Sequence, residues 1–195
     1  LSVTTWLVFF MLIESLHNEN YKAISNTMRN VFGLAGIFVW AFASTSNVMV
    51  SNLMGQQRDD LVLKAINKIV KLCLVLCIFI CLLVNLFPGV FFSIFSQGED
   101  FIQQGIPVLR VVSVDLLLMC IANIWLNAVT GTGKTKMNLI IEIVAITFYL
   151  IYSWVFIKLH FISLAFAWAN EFVYWSVIFT MAYFYLKSNK WKQNK

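Results

Sequence analysis

Charge is scarce in this 195-residue sequence: Asp, Glu, Lys and Arg together make up 12% of it, against 61% hydrophobic residues. With a mean hydropathy of +0.82, too few polar side chains are present to cover a globule in water, which excludes an ordinary soluble domain. Histidine is scarcer still, with His17 and His160 alone, and neither stands inside an apolar run, so neither is placed to relay protons at bilayer depth. No cluster of His, Ser and Cys suggests nucleophilic catalysis; no catalytic residue is assigned and no enzyme is expected. Four cysteines are present. Cys73, Cys77 and Cys81 recur every four residues along one helical stripe, where side chains do not meet in disulfide geometry. No His or carboxylate adjoins them in sequence, so with Cys120 they read as small packing residues, and no metal is expected. The sequence shows no basic n-region and no small-residue cleavage site at its start, which reads against a signal peptide.

What is present is a series of apolar runs. At ~20 residues per crossing, a chain of this length accommodates about six spans, and the gaps between charges give six: about 1–13, 23–54, 69–86, 107–129, 137–157 and 161–186. The first is too short to cross alone and reads as a truncated helix. The expected fold is an all-α polytopic transmembrane bundle. Between the second and third spans, residues 51–71 form the longest polar interruption, read as a loop leading into an amphipathic helix with Leu61, Ala65, Ile69 and Leu72 on one face. The Pro88-Gly89 pair ends the third span, followed by a Phe-rich turn, and the next loop carries Glu99 and Asp100. Ten of the fourteen Lys and Arg residues, among them Arg58, Lys64, Lys134 and Lys187, fall in alternate connections and the tail. That asymmetry puts those connections and the C-terminal tail in the cytoplasm and accounts for the net charge of +5 without nucleic acid. Trp154, Trp168 and Tyr183 to Tyr185 are expected near the headgroup layer.

The informative residues are the ionisable ones inside spans: Asp115, Glu142 and Glu171. A carboxylate at bilayer depth costs ~2.5–3.5 kcal/mol on insertion scales, so it faces a cavity, a partner or an ion path. Asp115 has Asn123 and Asn127 further along its span, Glu142 lies closer to a span end, and Glu171 sits between Trp168 and Trp175. A hydrogen-bonded structural carboxyl is the alternative for each. Ser44, Asn47 and Ser51 form a second polar stripe, fit either to line a cavity or to bond across helices. The run Gly131-Thr132-Gly133-Lys134-Thr135 has the end of a phosphate-binding loop. Ala128 stands where that pattern needs glycine, however, and an apolar span precedes it in place of a strand, so no nucleotide is expected.

The run SNVMVSNLMGQQRDDLVLKAINKIVK resembles a loop of multidrug and toxic compound extrusion (MATE) transporters, in which a helix rich in small residues ends in a VSNLxGQ-like motif. NAVTGTGKTKMNLIIEI is similar to that family's turn after its tenth helix, and EFVYW followed by LKSNKWK to the last helix and basic tail of a bacterial subgroup. The resemblance implies helices seven to twelve of such a transporter, a missing N-terminal six-helix lobe as partner, membrane lipid around both, and a location in the cell's inner (plasma) membrane. It further implies a proton- or sodium-coupled antiporter for small-molecule substrates, amphipathic and often cationic, with no cofactor besides the coupling ion (H+ or Na+). Under it, Asp115 is the cation-coupling candidate and Asn47, Asn123, Asn127, Glu142, Glu171 and Trp175 are substrate-cleft candidates. The sodium-type Asp of the tenth helix lies about one helical turn nearer the glycine turn than Asp115 does, and the family's seventh-helix Glu aligns near Ser2. Two alternatives stay open: a lipid-linked saccharide flippase lobe, and a membrane structural or enzyme subunit that does not transport.

Overall fold

A computed structural model describes residues 2–93, 95 and 98–192, and the described residues are all helix and turn with no strand. Gln97 in the expected far-side loop, and Asn194 and Lys195 in the tail, lie outside them. The helices are α1 (Ser2–Glu14), α2 (Glu19–Gly55), α3 (Val62–Leu86), α4 (Pro88–Ser93), α5 (Glu99–Gly131), α6 (Thr135–Ser153), α7 (Leu164–Trp168) and α8 (Asn170–Lys187). A 3-10 turn, Asp59–Leu61, enters α3, and a π-helical stretch, Trp154–Leu159, extends α6. Among the described residues, four stretches are long and apolar enough to cross a membrane: Glu19–Gly55, Asp59–Leu86, Glu99–Gly131 and Thr135–Leu159. The first and last of the six expected spans do not qualify by this measure. α1 is short, and the last span is divided between α7 and α8.

The centre of the bundle is α5, which has no exposed residue from Asp115 to Gly131 and contacts α2, α3, α6, α7 and α8. A helical stretch covered all round becomes the post against which the others pack. Its tightest neighbour is α2. A Cβ on Gly131 would stand 2.6 Å from the Asn47 carbonyl oxygen and 2.9 Å from Val50 Cβ, so only glycine allows this approach. Two hydroxyls tie the same seam, Ser46 Oγ donating to the Ile124 carbonyl at 3.2 Å and Ser51 Oγ to the Gly131 carbonyl at 3.1 Å. Hydroxyl-to-carbonyl bonds beside small residues are how membrane helices associate when burial from water supplies no drive. Gly131 is thus a packing glycine, and Gly133, at φ 79°, makes the turn into α6.

Several boundaries differ from the sequence reading. The polar stretch 51–71 is almost wholly helical, with its turn confined to residues 56–58. The buried face of the following helix is Val62, Ile66, Ile69, Val70, Cys73 and Cys77, leaving Leu72 exposed at 56%. Apolar residues here face lipid as well as protein, and periodicity alone does not separate the two. Glu19 belongs to the first turn of α2 and not to a loop; Asn18 caps that helix, its side chain accepting from the Tyr21 N–H at 3.2 Å. Glu99 and Asp100 occupy the first turn of α5, where the helix dipole favours acids, so Pro107 lies inside that helix and does not begin it. The Phe-rich turn is the helix α4, whose Phe92 sits where a Cβ on Gly105 would be, with ring carbon Cζ 2.6 Å from that point. Trp168 is no headgroup anchor: 1% exposed, it stacks on Phe32 with ring centroids 6.0 Å apart.

Candidate functional site

A cavity of about 430 Å³ opens among α1, α2, α5, α6 and α8, within the size range of small-molecule sites. Its floor is Glu171. That residue is 3% exposed, and both carboxylate oxygens are engaged: Oε1 accepts from Trp6 Nε1 at 2.8 Å and Oε2 from Trp175 Nε1 at 3.1 Å. The second bond follows from helical spacing, since residues four apart share a face. The first spans 165 positions and depends on the docking of α1. Two indole donors fix the carboxylate's plane while leaving lone pairs for a further partner, as an ionised carboxylate has about four acceptor sites.

The walls are aromatic. Tyr174 lies 4.8 Å from Trp175 and 5.9 Å from Tyr149 by ring centroids, and Trp6 meets Phe32 edge-on at 5.9 Å. Half-buried Glu142, buried Asn123 and the exposed Arg29 add polar groups to the lining. The Arg29 guanidinium lies 5.3 Å from the centre of the Phe10 ring, within cation–π range. Two carboxylates against one guanidinium, among electron-rich ring faces, make a site whose field favours cations.

Of the sequence candidates, Glu171, Trp175, Glu142 and Asn123 converge on this cavity. Asn127 stands behind it, its amide donating to the Asn123 Oδ1 at 2.9 Å and to the Asn123 carbonyl at 3.0 Å. Asn47 lines no part of the cavity; it belongs to the α2–α5 seam, and Ser51 bonds across helices there. Asp115 is also outside the cavity, fully buried on α5, with neither carboxyl oxygen hydrogen-bonded among the described residues. Sequence reasoning missed Trp6, Arg29 and Tyr149, while Tyr174, one turn from Glu171 on the same helix, was read as part of its aromatic surroundings. Arg29 had a visible signal, a cation inside the expected 23–54 span and directly before its uncharged part, whereas Trp6 had none. His17 and His160 are exposed in turns, as their positions suggested.

Apolar helices long enough to span a bilayer, large aliphatic side chains exposed along α2 and α3 and a charged, aromatic cavity inside the bundle describe a multi-pass membrane protein. The chain belongs to the MatE family, whose sequence profile matches residues 1–155. Among solved structures, its fold is similar to that of a multidrug resistance MATE family transporter of the MOP superfamily in an outward-facing conformation. The two agree with a TM-score of 0.83 at 14% identity, over 100% of this chain and 43% of that one. The chain therefore spans less than half the length of the transporter it resembles. No curated protein matches the sequence.

Proposed function

We propose that this chain forms the C-terminal lobe of an ion-coupled antiporter that exports amphipathic, cationic small molecules, the partner being an N-terminal six-helix lobe. The observation that carries the reading is Glu171: a buried carboxylate held by two indoles at the base of an aromatic cavity. A flat organic cation gains charge attraction from Glu171 and ring-face attraction from Trp175, Tyr174 and Trp6. A lipid-linked saccharide carries an anionic diphosphate and would meet two carboxylates against one guanidinium, so the balance of charge disfavours that alternative.

In this scheme Asp115 carries the coupling ion, H+ or Na+. An isolated carboxylate so deep is too costly to leave bare, so each cycle of charge on it must be matched by a cation or proton. Glu142 at the cavity rim offers a second attraction for the cargo, and Asn123 with Asn127 provides amides beside its path. The inner (plasma) membrane location with a cytoplasmic tail rests on the basic turns. The Ser51–Gly131 bond draws the α2–α3 and α5–α6 turns, with Arg58 and Lys134, to one end of the bundle, and the Lys-rich connections are the retained ones.

The test is efflux by the full-length protein in proteoliposomes, with a proton or a sodium gradient imposed in turn and a fluorescent organic cation as cargo. Export driven by one gradient and absent without it is the expected result; export independent of both would sink the coupled mechanism. Impermeant thiol labelling of single cysteines at Gln57 and Lys134, against one at Glu99, tests the orientation, with only Glu99 labelled from outside.

A further inference from the structure

Away from the cavity, three thiols meet between α3 and α5. Cys73 and Cys77 lie one turn apart in the middle of α3 with their sulfurs 4.0 Å from each other. Cys120 reaches in from α5, so that all three Sγ atoms fall within 4.8 Å of one another. Each is buried, Cys73 and Cys120 at 0% exposure and Cys77 at 2%, and all are free thiols. The sequence showed the stripe on α3 and not the third member, which arrives from a different helix.

We propose that Cys73, Cys77 and Cys120 form a binding site for a trivalent thiophilic metalloid of the arsenite class. Soft thiolates select soft, thiophilic centres, and a pyramidal three-coordinate centre with bonds to sulfur of about 2.3 Å draws its sulfurs to roughly 3.4–3.6 Å apart. The Cys73–Cys77 pair at 4.0 Å and the whole set within 4.8 Å stand close enough for side-chain adjustment to close on such a centre. Charge decides among the thiophilic candidates. Three thiolates around a divalent ion leave a net negative charge inside an apolar wall, and around a monovalent ion they leave two, both costly at this depth. Three thiolates around a trivalent centre leave none.

The reaction balances without an oxidant. As(OH)3, uncharged in neutral water, loses its three hydroxyls; three S–H and three As–O bonds break, three As–S bonds form, and each hydroxyl leaves with one thiol proton as water. Arsenic stays trivalent throughout. Neutral reactant and neutral product both suit a site that admits no ion, and a pyramidal centre with a lone pair needs no fourth ligand. Cys81, one turn further along α3, stands apart from the cluster with its thiol donating to the Ser113 carbonyl at 3.6 Å. Occupancy would tie α3 to α5 covalently, restraining the central helix of the lobe.

The experiment equilibrates full-length protein, in nanodiscs and under a phosphine reductant, with sodium arsenite. After desalting, it reads the arsenic bound per chain and, by X-ray absorption, the atoms around it. Expected is one arsenic per chain with three sulfur neighbours and no oxygen, unchanged in Cys81→Ser. Cys120→Ser should bind about 100-fold more weakly, because the third thiol is delivered intramolecularly, and show oxygen in the arsenic shell. An arsenic with one or two sulfurs in the unmodified protein overturns the site, and that reading stands even where a variant does not fold. Undiminished binding by Cys120→Ser, displacement of arsenite by an equal concentration of Zn2+, or a disulfide at Cys120 that survives the reductant would each overturn it as well.

Discussion

Glu171 and Asp115 are carboxylates of the same kind of helix in the same bundle, both buried, yet their surroundings are opposite. Glu171 has an indole N–H on each oxygen and a cavity in front of it; Asp115 has neither a partner among the described residues nor a place in that cavity. A carboxylate supplied with fixed donors is shaped to hold a particular ligand in a particular plane. Under the proposed function the contrast would divide two tasks, recognition by the donor-clamped acid on α8 and coupling by the donor-free acid on α5.

The variant that tests this most severely is Asp115→Asn. The amide keeps shape and hydrogen-bonding capacity and removes the charge and the exchangeable proton, so gradient-driven export of every cargo should stop at matched membrane abundance. Unchanged efflux of several cargoes would reduce Asp115 to a structural residue and collapse the contrast. Next in size is Glu171→Gln. Its NH2 group would face one of the two indole N–H donors, and losing a charge-assisted pair costs ~1.5–3 kcal/mol, so export of cations should fall about 10- to 100-fold while neutral cargo is spared. Equal losses for cations and neutral compounds would show that the two acids share a single task.

Trp175→Phe keeps the ring and deletes one donor to Glu171. Such a bond to a charged group is worth ~1.5 kcal/mol at the low end of its range, the end that applies while Trp6 remains as a second donor, hence a loss of about tenfold in apparent affinity for the same cations, with the maximal rate little changed. A loss as large with Trp168→Phe, whose indole donates instead to Ser25 at 3.2 Å, would mean that aromatic packing and not the clamp is being read. The smallest effect belongs to Arg29→Gln. Removing an exposed guanidinium from the cavity's edge should tighten cation binding about twofold, as screened charges at exposed sites contribute ~0.2–1 kcal/mol, and the gain should fade at high salt.

The acids themselves were legible in the sequence because a charge within an apolar run stands out in any window, and so was the all-helical character of the chain, because its apolar runs are long and carry little charge. What surrounds the acids was not. Trp6 and Glu171 are joined across almost the whole chain, and Cys120 reaches Cys73 and Cys77 from another helix, so no local pattern connects them. The break between α7 and α8 was equally silent: no Gly or Pro marks Ala169. There the indole of Trp168 bonds to Ser25, and the Asn170 amide, 3.1 Å from the Ser153 hydroxyl, bonds to a different helix. Pro107 misled in the other direction, since a residue that commonly opens a helix lies here within one.

The pairing of Trp6 and Trp175 on one carboxylate also makes the site optically self-reporting. An indole whose N–H points at a negative charge emits at a different wavelength from one pointing at a neutral group, so the arrival of a cation or a proton at Glu171 alters the emission of the two rings that hold it. Five further tryptophans contribute background, and the difference between the parent protein and Trp175→Phe isolates the signal. Occupancy of the cavity can then be followed in a cuvette with no label, no membrane potential and no completed transport cycle.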